Sequence, residues 1–248
     1  MAGRAQMACA WSGVGFVVVF LLGFWVFAGF VPPPAPGASA EMIAARYAGN
    51  RTGIRIGLVL TMFASGLLCT WFAVISIQMR RIEGRRSVLA YAQMIAGAAT
   101  VIEFLLPPMF WQAAAYRTDR SAETVRVLND IGWLPFLGII STALIQGYAF
   151  GAVILADRRA VPVLPRWLGY FQFWAVTLLA PGATIMFFQD GPLAWNGLFA
   201  WWMVLVAYCA WIVVTSIYLA RAVKSDPDLV GAEGSDRIRP SKGGVPCR

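Results

Sequence analysis

The chain has 248 residues, of which 59% are hydrophobic and only 13% charged, with a mean hydropathy of +0.67; soluble domains run at about 45–50% apolar. That composition excludes a soluble globular protein, and the absence of any histidine argues against the haem and iron sites that membrane enzymes build on imidazole. The net charge of +8 gathers in the gaps between apolar runs, which marks membrane topology rather than a nucleic-acid footprint.

Six apolar runs follow in order, over residues 7–30, 54–79, 88–115, 131–155, 168–187 and 198–219. Each can cross a hydrocarbon core of about 30 Å as a helix rising about 1.5 Å per residue, so the expected fold is all-α: a polytopic membrane bundle of six transmembrane helices over residues 1–225. The first run, with Arg4 ahead of it and Ala38-Ser39-Ala40 behind, also has the outline of a signal peptide. It exceeds the roughly 7–15 apolar residues of a signal core, so it is read as a retained span. The proline-rich VPPPAPGA stiffens the next connection, and SAEMIAARYAG predicts a short amphipathic helix on the membrane surface, capped by Ser39 and ended at Gly49 or Asn50.

The third run holds Glu103 and then Pro107-Pro108, where loss of the amide hydrogen predicts a kink that frees the carbonyl of Glu103. A second short helix, capped by Ser121, is expected in SAETVRVLND before the fourth run, whose Gly147-x-x-x-Gly151 permits close helix approach. Pro181-Gly182 predicts a break in the fifth run. Beyond the sixth, residues 226–248 are polar and rich in glycine and proline, and read as a disordered tail. Cys9, Cys69 and Cys209 lie in separate apolar runs and Cys247 is in the tail, a pattern with neither metal-ligand nor disulfide spacing; no metal and no cofactor is expected.

Orientation follows from the basic residues, which stay preferentially on the cytoplasmic side. Arg80, Arg81, Arg85 and Arg86 lie between spans two and three, Arg158, Arg159 and Arg166 between four and five, and Arg221 and Lys224 after six. The other connections balance their arginines with acids, so both termini, and with them the tail, are expected to be cytoplasmic.

Glu103 is the acid set deep in a span, where a carboxylate costs about 2.5–3.5 kcal/mol on insertion scales. It is therefore expected to face the bundle interior as a neutral group. Helical rise puts Gln93, Gln146 and Gln172 in the cytoplasmic half, where amides act as interhelical glue. Trp71, Trp111, Trp133, Trp167 and Trp195 fall near the two boundaries and suggest an aromatic belt, whereas Trp174, Trp201, Trp202 and Trp211 either wall a cavity or pack the bundle. The outer half brings acids, amides and aromatics together around two helix breaks. The principal cavity is accordingly expected there, between Pro107 and Pro181, with Glu103 on its wall and Trp111, Trp133, Asp130, Trp195 and Asn196 at its rim. Gln112, Asn129, Thr184 and Asp190 complete the ligand-binding candidates, and Glu103 with Asp130 forms the candidate catalytic pair.

The stretches PRWLGYFQFW, PG and FFQDGPLAWNGLFAWW, above all Gly191-Pro192-Leu193-Ala194-Trp195-Asn196-Gly197-Leu198, resemble a group of multi-span bacterial integral membrane proteins of actinobacterial type. In that segment Gly-Pro forces a turn and Asn196 is placed to cap the last span. The group has no assigned activity, so the resemblance implies a bacterial cell membrane and supplies no catalytic residue. A fainter likeness to small integral-membrane terpenoid cyclases rests on length, helicity and the use of buried acids, with no motif in common. Three functions follow as expectations. The first is a binding or accessory protein that holds a lipid-like apolar small molecule, the second an intramembrane acid-base enzyme on a terpenoid or lipid, the third a small transporter. Membrane lipids, such a ligand, and a homo-oligomer or membrane complex are the partners to expect; nucleic acid is not.

Overall fold

A computed structural model describes residues 2–226, so the tail beyond Asp226 lies outside the described residues. Every element in that range is helical: α1 (Ala2–Leu21) continuing as a π-helical turn (Leu22–Phe27), α2 (Ala40–Gly49), α3 (Arg51–Glu83), α4 (Val88–Tyr116), α5 (Ala122–Gly138), α6 (Ser141–Ala156), α7 (Arg166–Thr177), a 3-10 segment (Ala180–Met186), a second π-helical turn (Leu198–Met203) and α8 (Val204–Lys224). They form six helical stretches long and apolar enough to cross a membrane, Gly3–Phe27, Arg51–Glu83, Val88–Tyr116, Ala122–Ala156, Arg166–Met186 and Leu198–Lys224.

Each span packs on the next, and α8 closes back on α1, so the six make a ring around a shared core. Both described ends lie on one face, called here the terminal face. Arg81 of α3 reaches Asp226 at 3.3 Å and donates to the Ala222 carbonyl at 3.3 Å, and Arg159 donates to the Arg81 carbonyl. Glu83 on the same face accepts from the free amides of Leu89 (3.1 Å) and Ala90 (2.8 Å), which caps α4.

The opposite face, the loop face, carries α2. Ser39 caps it as expected, its hydroxyl accepting from the Met42 amide at 3.3 Å, yet the helix is more than a surface element, since Ile43 and Tyr47 are buried and it packs against α5. Ser121 likewise caps α5, but α5 runs from Ala122 straight into the membrane as the first half of span four, not as a separate surface helix.

Three local expectations are corrected. Helix α4 is continuous through Pro107 and Pro108, both buried; neighbouring helices can satisfy the groups that proline frees, so the dipeptide does not interrupt the span. Span four is broken instead at Ile139-Ile140, where Gly138 and the β-branched Ile139, Ile140 and Thr142 weaken the helix together. Asn196 does not cap span six: Gly197 holds the N-cap position, with no side-chain cap bond. The break expected in span five is present. Helix α7 stops at Thr177 and Pro181 opens the 3-10 segment, where its missing N–H costs nothing.

The tryptophans also depart from a belt. Trp71, Trp111 and Trp133 are 0% exposed and Trp195 only 6%, so of the five assigned to the boundaries Trp167 alone stays open, at 47%. Phe24 lies 5.5 Å from Trp111 and 5.3 Å from Phe136, and Trp111 lies 4.9 Å from Trp133, centroid to centroid, so rings from three spans interlock at the centre.

Close helix approach relies on glycine. A β-carbon at Gly57 would stand 2.2 Å from the Gly23 carbonyl oxygen, a backbone atom that cannot swing aside, whereas one at Gly66 would meet nothing within 4 Å. Gly57→Ala should therefore lower stability by about 1–3 kcal/mol or more through overpacking. Gly66→Ala should raise it by up to about 1 kcal/mol through helix propensity. Thermal unfolding of the detergent-solubilised variants measures both, and a tolerated Gly57→Ala would contradict the span one–span two crossing.

Candidate functional site

The polar side chains of the interior sort into three groups, of which the first is structural. Gln172 donates to Thr215 at 2.9 Å and accepts from Trp211, joining spans five and six; Ser76 donates to Gln93 at 2.5 Å, joining two and three; Trp71 donates to Ser216 at 2.8 Å, joining two and six. These are the interhelical bonds expected of an amide layer.

The second group lies toward the loop face and centres on Asn129, 1% exposed. Its side-chain oxygen accepts from Tyr47 at 3.3 Å and Trp133 at 3.2 Å, its amide donates to Asp130 at 3.1 Å, and its backbone carbonyl accepts from Trp111 at 3.1 Å. Burial pushes the Tyr47 phenol well above its ordinary pKa, which keeps it protonated as a donor, and lowers that of neighbouring Arg46, whose guanidinium bonds the Gly29 (2.5 Å) and Pro32 (2.9 Å) carbonyls. Trp195 donates to the Pro34 carbonyl at 2.7 Å and stacks on Trp133 with centroids 6.5 Å apart. Asp130, Trp111, Asn129, Trp133 and Trp195 are thus brought together, but as a bonded plug and not as the rim of an opening. Of the remaining candidates, Gln112 donates to the Arg55 carbonyl at 2.7 Å, and Thr184 donates to the carbonyl of Pro181 (2.7 Å) or Leu193 (3.0 Å). Asp190 is exposed beside Gly37 and Asn196 is half-buried.

The third group surrounds a cavity of about 70 Å³. Spans three and five, expected to flank it, are not packing neighbours, because span four stands between them. The cavity is instead the space left by the break in span four. Its wall includes Glu103 and Phe104 of α4, Phe136 and Ile139 at the break, Leu179 from the end of span five, and Trp201 and Tyr208 of span six. Ile139 is 43% exposed, so the cavity reaches the lipid-facing surface there.

Glu103 is half-buried and held by a directed hydrogen-bond chain. Gln146 donates to Thr100 at 2.6 Å, Thr100 to Thr142 at 3.0 Å, and Thr142 to Oε1 of Glu103 at 2.6 Å. Two further polar atoms of wall residues, Trp201 Nε1 and Tyr208 Oη, are buried with no hydrogen-bond partner among the described residues. Tyr208 stacks on Phe104 with centroids 5.6 Å apart. Among the described residues, no lysine or arginine lines the cavity.

Comparison with protein-family models, with curated proteins and with solved structures finds no match to this chain. Sequence reasoning singled out Glu103 and named Trp201 as a possible cavity wall; it missed Tyr208, Thr142 and Thr100. The available signal was spacing, since Tyr208 lies seven residues after Trp201, about two turns along one helix face.

The two polar groups should respond oppositely to substitution. Asn129→Leu strands the Tyr47 and Trp133 donors, each at about 1–3 kcal/mol, and should destabilise the fold by about 2–4 kcal/mol. Glu103→Gln keeps an oxygen to accept from Thr142 and should cost less than about 1 kcal/mol. Chemical or thermal denaturation in one detergent compares them, and a Glu103→Gln variant as damaged as Asn129→Leu would point to an ion pair at Glu103.

Proposed function

We propose that this multi-pass membrane protein binds a lipid-like small molecule in the cavity beside Glu103. The observation that carries the reading is the wall itself. A mostly apolar wall with one acid, Glu103, set into it is the composition of a ligand site, in which a polar group orients a mostly apolar body. The break at Ile139-Ile140 supports entry from the bilayer, because irregular backbone at membrane depth is tolerated where it is buried or lines a cavity.

The acid-base enzyme is the weaker alternative. Its pair required Glu103 and Asp130 on one substrate, whereas Asp130 bonds Asn129 in the plug and is absent from the cavity wall. In this reading the terminal face, with Arg80, Arg81, Arg85, Arg86, Arg158 and Arg159, is cytoplasmic and the Asn129 plug seals the outer side, in a bacterial cell membrane. Membrane lipids surround the ring, and a homo-oligomer or larger complex is compatible with its exposed apolar faces.

Two measurements test this. Mass spectrometry of extracts from protein purified in mild detergent should find an apolar compound near one equivalent, depleted in Ala143→Leu, which fills the cavity from a wall residue 5% exposed. Equal retention by Ala143→Leu would overturn the site. For orientation, a cysteine at position 83 in a chain lacking its native cysteines should react with a membrane-impermeant maleimide only after the inner side is opened; labelling of intact cells would reverse the topology.

A further inference from the structure

We propose that the groove between α3 and α4 at the loop face binds an anionic phospholipid of the phosphatidylglycerol class, with its phosphate on the guanidinium of Arg55 and one acyl chain along Ile56, Val59 and Leu60. The groove shares no wall residue with the Glu103 cavity, so either site can fail without the other.

Depth is the first observation. Arg55 and Arg80 are the charges of α3 set furthest in from its two ends, and helical rise separates them by about 37 Å. Together they bracket a hydrocarbon core of about 30 Å, which leaves each at the level of the lipid head groups.

Charge is the second. The Arg55 side chain is exposed and makes neither an ion pair nor a hydrogen bond among the described residues; what it meets is the Tyr116 ring, 5.9 Å from the centroid. A contact with a ring face satisfies none of the guanidinium N–H groups, and their planar fork matches two phosphate oxygens. No acid lines the groove among the described residues, so an anion meets no repulsion there.

The order of residues is the third. Thr52, Arg55 and Gln112 form the end nearer the loop face, and Ile56, Val59 and Leu60 continue toward the membrane interior. Ile56 is 46% and Val59 40% exposed, so both present apolar surface to a chain lying on them. Polarity thus falls along the groove in the order in which a phospholipid presents phosphate, glycerol and hydrocarbon. Gln112 donates to the Arg55 carbonyl at 2.7 Å, which ties the two helices at the head end and leaves the glutamine oxygen to accept from a head-group hydroxyl. Phosphatidylethanolamine brings the same phosphate with an ammonium group, for which the groove holds no acid. Phosphatidylglycerol brings the phosphate with hydroxyls and a net negative charge, and it matches both the arginine and the amide.

Native mass spectrometry of the full chain released from detergent micelles counts bound lipids one at a time, in separate titrations with dioleoylphosphatidylglycerol and dioleoylphosphatidylethanolamine. The first phosphatidylglycerol should bind at least about fivefold more tightly than the first phosphatidylethanolamine. Arg55→Gln should weaken it about fivefold or more, and Arg55→Lys, which keeps the charge without the fork, about two- to threefold. Arg158→Gln, which removes an exposed arginine from the terminal face, should change it by less than about 1.5-fold. Circular dichroism and unfolding temperature confirm that each variant is folded, and Thr52→Ala, with a loss of about twofold, replaces an Arg55 variant that unfolds. Equal affinity for the two lipids, or an Arg55→Gln loss no greater than that of Arg158→Gln, would overturn the site. Displacement of the bound lipid by millimolar inorganic phosphate would overturn the lipid assignment, since the arginine would then hold a free anion.

Discussion

Inside a bilayer there is no water to satisfy a backbone N–H or C=O, and that constraint governs where this chain can stop being helical. It does so in spans four and five, at Ile139-Ile140 and after Thr177, and the two interruptions pack on each other. A β-carbon at Gly182, in the 3-10 segment of span five, would lie 2.6 Å from the Leu137 carbonyl oxygen beside the break in span four, so the missing side chain lets one broken backbone settle against the other. The Thr184 hydroxyl donates either within the same segment, to the Pro181 carbonyl, or to the Leu193 carbonyl of the following loop. The cavity is the residue of this arrangement, since two half-helices meeting end to side cannot fill space as two straight ones do.

The ring closes differently at its two sides. At the terminal face, charged side chains clamp the connections, through Arg81, Arg159, Asp226 and Glu83. Toward the loop face the closure is aromatic and amide, with Asn129 binding Trp111, Trp133 and Tyr47 above the rings of Phe24 and Phe136. A plug whose donors are matched has nothing left to offer a ligand. Unpartnered buried polar atoms occur on the cavity-lining Trp201 and Tyr208 and also on Gln93 and Gln146 in the interhelical bonds, so satisfaction alone does not separate packing from site.

Much of the architecture was legible because it is set by length and polarity. Six runs, the Ser39 and Ser121 caps, the Pro181 break and the Gly147-Gly151 contact, where a β-carbon at Gly147 would meet Val176 at 2.2 Å, all depend on local rules. Glu103 was legible for a related reason, since a lone acid among apolar residues must turn inward. The failures share a cause. Pro107-Pro108 was read as a break because the rule for soluble helices is local, while in a bundle the neighbours decide whether a freed carbonyl matters. Span four broke where only the joint weakness of Gly138, Ile139, Ile140 and Thr142 announced it, and that weakness matters only because span five has a gap to receive it. Boundary depth likewise suggested a belt for Trp111 and Trp133, but depth along a helix says nothing of which way the side chain points around it.

The direction of the hydrogen-bond chain gives Glu103 its meaning. A carboxyl group with both oxygens engaged would be glue like Gln172, whereas one with both free would be an unheld charge in a low-dielectric space. Here Gln146, Thr100 and Thr142 commit their donors in sequence to Oε1. The second oxygen has no such donor among the described residues, and it belongs to a residue on the wall of a cavity whose other polar groups are also unmatched. The chain thus fixes the acid in position without consuming its capacity to bind, and its last donor, Thr142, stands at the start of α6 just past the break. The interruption that opens the cavity and the residue that bonds its acid lie within one turn of each other in span four, so a shift in the break would move both the space and the hold on Glu103.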